Sequence, residues 1–441
     1  MTDFKVRLIS CTENPQTLSV AGALGCFEEK SSYDFLTELD DMDSDRRQKK
    51  ERGVLKNSFG KGHGSVGDQN YFIFSIENLP RVVTLFLCAP EYLSHLQQSL
   101  RRAKADRGFY FSDMISGSLR KIIDEVSSNS FELYEKMQEN NVPGEDARFI
   151  LPLNTKTNIQ TGGDARELCH LLNMTKNRGV PLIVRKIVRE MIDQAETKAP
   201  HLFEDFGFNY ETISFRPAPI LFANENQAMK KLIDKNLTRF NNGRRVVLIS
   251  YDDKLKALFT RKTMDRAILE KKEAEINMLK HVHFTFLFPI SIAGFHQVTR
   301  QRTWNLNVES IYDAASDNVM KRIVIPSSIS KSNFHDAFIE QHSRMMEIPK
   351  ADDYSELIGF VPHSLGVYVL AHIDGWNAIH SIGKRTCIKA QWEIRKIAWD
   401  MAKIIKKEFP DLGDWVEPQC VVYDGNCPET GDCEYYKKKK K

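Results

Sequence analysis

At 441 residues the chain has room for two domains of about 200 residues, each with its own core. Hydrophobic content of 41% with 27% charged residues is that of a soluble globular protein, and no apolar run of about 18 residues offers a membrane span. A formal charge of +3, part of it in the terminal run Lys437 to Lys441, is too small to argue for nucleic acid or a membrane as partner, and the run reads as a solvated tail. Met1-Thr2-Asp3 begins no signal peptide, so a cytoplasmic location is the default expectation. Eight cysteines are spread along the chain, which argues against a disulfide scaffold. Cys420, Cys427 and Cys433 cluster near the end, but their spacing is looser than that of structural zinc sites, even with Cys387 as a fourth ligand. No metal is expected.

Val6 to Ser10 predicts a short strand, and Asp40 to Arg52 a helix with a solvated face. Gly60 to Val66 is a glycine-rich loop, and Tyr71 to Ile76 predicts a buried strand. Leu79-Pro80 turns the chain into Arg81 to Leu87, a buried helix. Pro143-Gly144 starts a helix that ends near Leu151-Pro152, and the stretches Ala165 to Asn173 and Leu182 to Ala199 carry amphipathic helical spacing. Residues 216–243, with Pro217, Pro219 and Asn241-Asn242-Gly243, read as a connector. The programme then repeats: strand 246–250, charged helix 254–279, strand 282–288, buried helix 291–302, and helices near 365–382 and 390–408.

The residues themselves recur. Arg185-Lys186-Ile187, Met191 and Pro200 return as Arg395-Lys396-Ile397, Met401 and Pro410, and Pro152 answers Pro362 at the same distance of 210 residues. Lys5 to Ser10 resembles Arg245 to Ser250, and Phe72-Ile73-Phe74 matches Phe284-Thr285-Phe286. This is a tandem duplication: residues 1–215 form the first copy, 216–243 the connector, 244–416 the second copy, and 417–441 a Cys-containing, Lys-rich tail. The fold class is α+β, a small sheet with packed helices, present twice.

Two motifs carry chemistry. In the second copy, Gln297-Val298-Thr299-Arg300-Gln301-Arg302 places two arginines on a predicted buried helix, which is costly unless an anion or a carboxylate meets them. In the first copy, Ser94 and then Gln97-Gln98-Ser99-Leu100-Arg101 set a hydroxyl and a guanidinium two residues apart, which suits a phosphate monoester. Taken alone, each is more commonly an ordinary salt-bridged arginine.

Together they resemble the signature of the flavin-dependent thymidylate synthases, Arg-His-Arg, two residues, Ser, four residues, then Ser-x-Arg. The second copy keeps the first part as Arg300-Gln301-Arg302, with Asn305 and Ser310 in the serine places and Tyr312 in the last arginine's place. The first copy keeps the second part as Ser94, Ser99 and Arg101, with Ala89-Pro90-Glu91 for Arg-His-Arg. Gly62-His63-Gly64-Ser65 resembles the family's Gly-His-x-(Ser/Thr) loop. Ala147-Arg148-Phe149-Ile150-Leu151-Pro152-Leu153-Asn154 resembles Ala-Arg-x-x-Leu-Pro-Leu-Asn, and Arg385 with Ala390-Gln391-Trp392-Glu393-Ile394 resembles its late helix. The implied fold is two copies of that family's small, mainly antiparallel sheet with packed helices.

The resemblance implies flavin-dependent methylation of dUMP to dTMP, with FAD as cofactor and methylenetetrahydrofolate and NADPH as co-substrates. One nucleotide site would be shared between the copies. Gln297, Arg300 and Arg385 would come from the second copy, and Gln97, Gln98, Ser99, Leu100, Arg101 and Arg148 from the first. Arg385 is the catalytic candidate, stabilising charge that develops on the uracil ring. Flavin contacts would fall to Arg300, Gln301, Arg302, Ser65, Asp68, Asp374 and Lys389. The reciprocal site would need Phe86, Ala89, Thr175, Tyr312 and Ile358, which cannot do the polar work, so the chain resembles a fused dimer with one site retained. Two chains would then associate into a homodimer of four copies.

Departures from the pattern keep other readings open. Gln301 and Lys389 stand where the family has histidine, Asp164 and Asp374 where it has asparagine, and Gln97 where an acidic residue is common. A related C5 modification such as hydroxymethylation, or a non-catalytic flavin- or nucleotide-binding paralogue, are the alternatives. Cys88 reads as a buried thiol and His281 and His283 as sheet histidines. Glu393 reads as a group that orients a neighbouring arginine.

Overall fold

A computed structural model describes residues 4–204, 217–252, 254–317, 322–350, 354–422 and 433. Cys427 and the Lys437 to Lys441 run lie outside the described residues. Two four-stranded antiparallel sheets organise the chain. In the first, β1 (Lys5–Cys11), β2 (Phe72–Pro80), β3 (Ser94–Gln97) and β4 (Lys156–Gly163) lie in the order β1-β2-β4-β3. In the second, β5 (Val247–Tyr251), β6 (His283–Ser291), β7 (Asn305–Val308) and β8 (Gly366–Asp374) lie in the order β5-β6-β8-β7. Even the irregularities match: the register slips between Leu8 and Ser10 in β1 and between Leu248 and Ser250 in β5. The duplication read from residues is therefore written in the backbone as well.

Several expectations need correction. The stretch near 365–382 begins as strand β8, and the helical part starts only at Gly375. With β6 on one side and β7 on the other, β8 buries Val367, Tyr368, Val369, Ala371 and Ile373. A strand covered on both faces loses its alternation and cannot be told from a buried helix by pattern alone. The charged stretch 254–279 is a turn (Lys256–Leu258) and two helices (Arg261–Leu269 and Glu273–Met278), interrupted where Lys271 turns left-handed at φ 53°. The stretch 216–243 contains a helix, Gln227–Asn241, which lays Met229 and Ile233 on Leu287 and Tyr368. Among the described residues, no helix is long and apolar enough to cross a membrane.

The chain packs as two units. Unit 1 comprises Met1–Asn224, Ala315–Met320 and Ile325–His363, and so includes part of the second repeat. Within it, the helix Gly117–Glu139 meets the helix His335–Glu347, where the Gln341 amide donates to Val126 O (2.7 Å) and Ser130 Oγ (2.8 Å). Pro152 bridges Pro362, its own counterpart. Leu153 N–H donates to Val361 O and His363 N–H to Leu151 O, each at 3.0 Å. Equivalent positions thus meet reciprocally, as they do across a two-fold interface. Beside them, buried Arg81 donates through Nε to His363 Nε2 at 3.1 Å, and His363 Nδ1 donates to Leu151 O at 2.7 Å. Burial, with Arg81 and Arg148 nearby, pushes the His363 pKa well down, so the ring is neutral with Nε2 as acceptor.

Unit 2 comprises Glu225–Ala314, Lys321–Val324 and Ser364–Lys441. Strand β6 passes into the helix Ile292–Val298 through Ser291, whose hydroxyl caps Gly294 N at 2.9 Å. Buried Glu393, at the start of the helix Trp392–Glu408, accepts from Ser291 N at 2.7 Å and from the Ser291 hydroxyl. A Cβ on Gly294 would come within 2.6 Å of the same carboxylate, so only glycine allows the close approach. Glu393 therefore fixes the start of the helix that delivers Arg300 to Arg302.

Two stability predictions follow from these contacts. Glu393→Ala leaves the Ser291 N–H and O–H without this buried acceptor and should cost about 1–3 kcal/mol in urea unfolding; an unchanged midpoint would contradict the clamp. Asp164 caps the helix Ala165–Met174 by accepting from Glu167 N at 2.8 Å. Burial chiefly lifts its carboxyl from 3.8 to about 6; Asp68 and Glu167 add to this, while the capping bond and Arg166 oppose it. A folded value above the unfolded one means that the folded chain holds the extra proton, so stability falls as pH rises from about 4 to about 6. Asp164→Asn keeps a good cap and should gain roughly 1–3 kcal/mol at pH 7 but nothing below pH 4. Urea titrations across that range check it, and a variant that tracks the parent at every pH would refute it.

Candidate active site

Two stretches far apart in sequence, 300–303 and 376–390, line one cavity of about 820 Å³ in unit 2. The helix expected over 291–302 stops at Val298, so Arg300, Gln301 and Arg302 sit on the turn that leads into β7. The opposite wall starts at Gly375 and widens into a π-helical turn over Ala378–Ile382, where Gly383 N–H reaches back to Ala378 O. Such turns recur at functional sites because they re-aim side chains without breaking the helix. The Asn377 carbonyl oxygen accepts from Thr303 Oγ1 (2.6 Å) and Ser381 Oγ (3.0 Å), which ties one wall to the other. Asp374 holds Asn377 in turn, accepting from its backbone N–H at 2.7 Å and its amide at 2.8 Å.

Charge is the dominant feature. Lys280, Arg300, Arg302, Lys384, Arg385 and Lys389 line the cavity, and among the described residues no carboxylate lines it. The guanidiniums stay charged at any working pH. Crowded like charges of this kind are tolerated where an anion is to be bound. The neutral groups fit the same purpose. Lys384 Nζ donates to His380 Nε2 at 3.1 Å, and burial, then Lys384, lowers the His380 pKa. Trp376 stacks on His380 with centroids 5.8 Å apart and planes 20° apart, giving the wall a flat aromatic surface. With its carbonyl turned toward the guanidinium, Gln301 accepts from Arg385 Nε at 2.8 Å and from Nη2 at 2.5 Å.

Of the residues singled out in the second copy, Arg300, Gln301, Arg302, Arg385 and Lys389 thus share a cavity. Gln297 is half-buried on the preceding helix, outside the lining, and Asp374 serves as the helix cap. The first-copy set gathers within unit 1. Arg101 Nε donates to Glu145 Oε2 at 2.6 Å and Arg148 Nε to Glu145 O at 3.0 Å, so both guanidiniums meet one residue. Ser99 Oγ accepts from Arg101 N at 3.2 Å, and Gln97 donates to Thr84 Oγ1 at 2.8 Å. Gln98 is half-buried beside them, whereas Leu100 is buried in the core. Ser65 is exposed on the loop that turns left-handed at Gly62 (φ 94°), and Asp68 pairs with Arg166 at 3.0 Å.

The residues at the counterpart positions are built into structure. Phe86, Tyr312 and Ile358 are buried, and Thr175 Oγ1 donates to Leu172 O at 2.6 Å. Sequence reasoning missed Lys280, Trp376, His380 and Lys384. The last three recur every four residues along one helical face, a signal that was available; Lys280 arrives from a distant turn and left none. Cys387 and Cys420 also line the cavity, and among the described residues no His, Cys, Asp and Glu group could hold a metal.

Comparison with known proteins bears on this arrangement. The family model for thymidylate synthase complementing protein matches residues 7–201 and again 236–411. A flavin-dependent thymidylate synthase of Sulfolobus acidocaldarius is 29% identical over 160 residues, 35% of this chain and 61% of its own length. That of Geobacter sulfurreducens is 26% identical over 209 residues, 46% of this chain and 87% of its own. That of Haloarcula marismortui is 23% identical over 245 residues, 48% of this chain and 99% of its own. The chain thus spans under two thirds of the Sulfolobus protein, while nearly whole relatives match less than half of it. A solved structure of a UMP/dUMP methylase, PolB from Streptomyces cacaoi with 5-Br dUMP, is 18% identical with a TM-score of 0.40, covering 46% of this chain and 94% of that one.

The electrostatics of the cavity can be checked at His380. Its ring should titrate below pH 6.5 in histidine-resolved NMR, and Lys384→Met should move the midpoint part of the way back up, because burial remains. A midpoint at or above 6.5, unmoved by the substitution, would contradict the cationic wall.

Proposed function

We propose, since the chain belongs to the thymidylate synthase complementing protein family, that it is a flavin-dependent enzyme that methylates dUMP to dTMP. The observation that carries this reading is the cavity walled by six cationic side chains, with Arg385 held by Gln301 at its edge. The cavity suits FAD in kind: its volume is that of a small-molecule pocket, its cations match a diphosphate, and Trp376 offers a plane for a flat ring. Arg300, Gln301, Arg302 and Lys389 would hold that cofactor. Reduced FAD would supply hydride to the pyrimidine once methylenetetrahydrofolate has given a one-carbon unit to C5, with NADPH as the reductant.

The protein's own work is then binding and charge stabilisation, with no nucleophile of its own. Arg385 neutralises negative charge that develops on the uracil ring, and its guanidinium keeps that role at any pH. We assign the nucleotide phosphate to Ser99, Arg101 and Arg148, because both arginines stand in the first repeat, whereas the second keeps the serine as Ser310 but has Tyr312 and Ile358 in their places. Gln297, Arg300 and Arg385, intact only in the second repeat, would serve the base of the same nucleotide. The phosphate would displace the Glu145 carboxylate from the Arg101 guanidinium, and that carboxylate, 29% exposed, would turn to water. Two chains would associate to bring four repeats together.

Arg101→Ala, Arg148→Ala and Arg385→Ala should each weaken dUMP binding by about 1.5–3 kcal/mol, the range for hydrogen bonds to charged groups. Thr175→Ala and Tyr312→Phe, at the abandoned counterparts, should leave it nearly unchanged. Calorimetric titration reads both sets, and equal losses across them would refute the assignment.

A further inference from the structure

We infer that Gln301 is a positioning residue, one that fixes the Arg385 guanidinium through its amide oxygen; the role given to Arg385 rests on the proposed function. Two contacts to one oxygen, from Nε at 2.8 Å and Nη2 at 2.5 Å, define the guanidinium plane as a single bond would not. Arg385 sits in the helical segment Gly383–Thr386, just beyond the π-helical turn. Gln301 meets it from the opposite wall, so the contact ties the guanidinium to the turn after Val298.

The chemistry of the cavity explains why the holder is an amide. The titratable groups sharing the cavity are Lys280, His380, Lys384, Cys387, Lys389 and Cys420, beside the guanidiniums of Arg300 and Arg302. A protonated imidazole at position 301 could accept nothing and would add another cation. A carboxylate would accept well but would cancel the charge that Arg385 is there to provide. An amide oxygen has two lone pairs, accepts two N–H groups, and carries no charge at any pH. Position 301 departs from the family's Arg-His-Arg pattern, and this geometry supplies a physical reason for the departure.

The full-length protein is labelled with phenylglyoxal and the rate at each arginine is read by mass spectrometry, with exposed Arg300 as internal reference. Gln301→Met should speed Arg385 labelling about tenfold, the equivalent of one charge-assisted hydrogen bond, while Arg300 stays unchanged. Gln301→Glu, which keeps an acceptor oxygen, should leave Arg385 slow. In parallel, dUMP affinity is measured for the parent, Gln301→Met, Arg385→Ala and the double variant. If Gln301 acts through Arg385, Gln301→Met weakens binding and the double variant binds no worse than Arg385→Ala. Unchanged Arg385 labelling in folded Gln301→Met, or single effects that multiply in the double variant, would overturn the inference. A parent that binds no dUMP but still shows the labelling shift would sink the nucleotide reading and leave the positioning role standing.

Discussion

Like charges crowded around one cavity are the constraint on which the site depends. Two unit charges 4 Å apart repel by about 4 kcal/mol at an effective dielectric constant of 20, so six cations lining one cavity oppose one another. Among the described residues, no carboxylate lines the cavity to cancel this. The fold places neutral acceptors there instead: Gln301 against Arg385, and a His380 kept uncharged against Lys384. The backbone that carries the cations is held by groups behind them, Glu393 under Ser291, and Asp374 and Asn377 beneath the helical wall.

The two repeats have kept one architecture, and on the proposed function they divide the chemistry. Both sheets share strand order and register slip, and Pro152 meets Pro362 as one half of an isologous contact meets the other. The side chains, however, have diverged by repeat. In the first, Arg101 and Arg148 gather at Glu145; in the second, arginines and lysines line a cavity while Tyr312 is buried. A fused pair can lose one half of each site at no cost, provided that the complementary half survives in the other repeat. The chain follows that pattern: Arg101 and Arg148 give way to Tyr312 and Ile358 in the second repeat, and Gln297, Arg300 and Arg385 to Phe86, Ala89 and Thr175 in the first.

Much of this was legible in the residues, and the failures have physical causes. The duplication, β1, β2, β5, β6 and the amphipathic helices are strong patterns: Phe72, Phe74 and Ile76 are buried, while Ile73 and Ser75 between them are only half-buried. Strand β8 was hidden because burial on both faces erases the alternation that marks a strand, and β4, Lys-Thr-Asn-Ile-Gln-Thr-Gly-Gly, offers almost no apolar signal. At the site, Arg300, Arg302 and Arg385 were marked by motif, but their convergence depends on a turn after Val298 and a π-helical turn after Asn377, neither of which a pattern reveals. From the sequence Glu393 reads as a group that orients a neighbouring arginine; that it clamps Ser291 across 102 residues is a tertiary fact.

On the proposed function, the fused pair keeps a single nucleotide site. Equilibrium dialysis of radiolabelled dUMP against the full-length chain, with FAD present, counts the sites directly. One nucleotide bound per 441-residue chain at saturation is the predicted result. Two per chain would show that both sites survive, and none would show that the retained residues serve something else; either would contradict the claim.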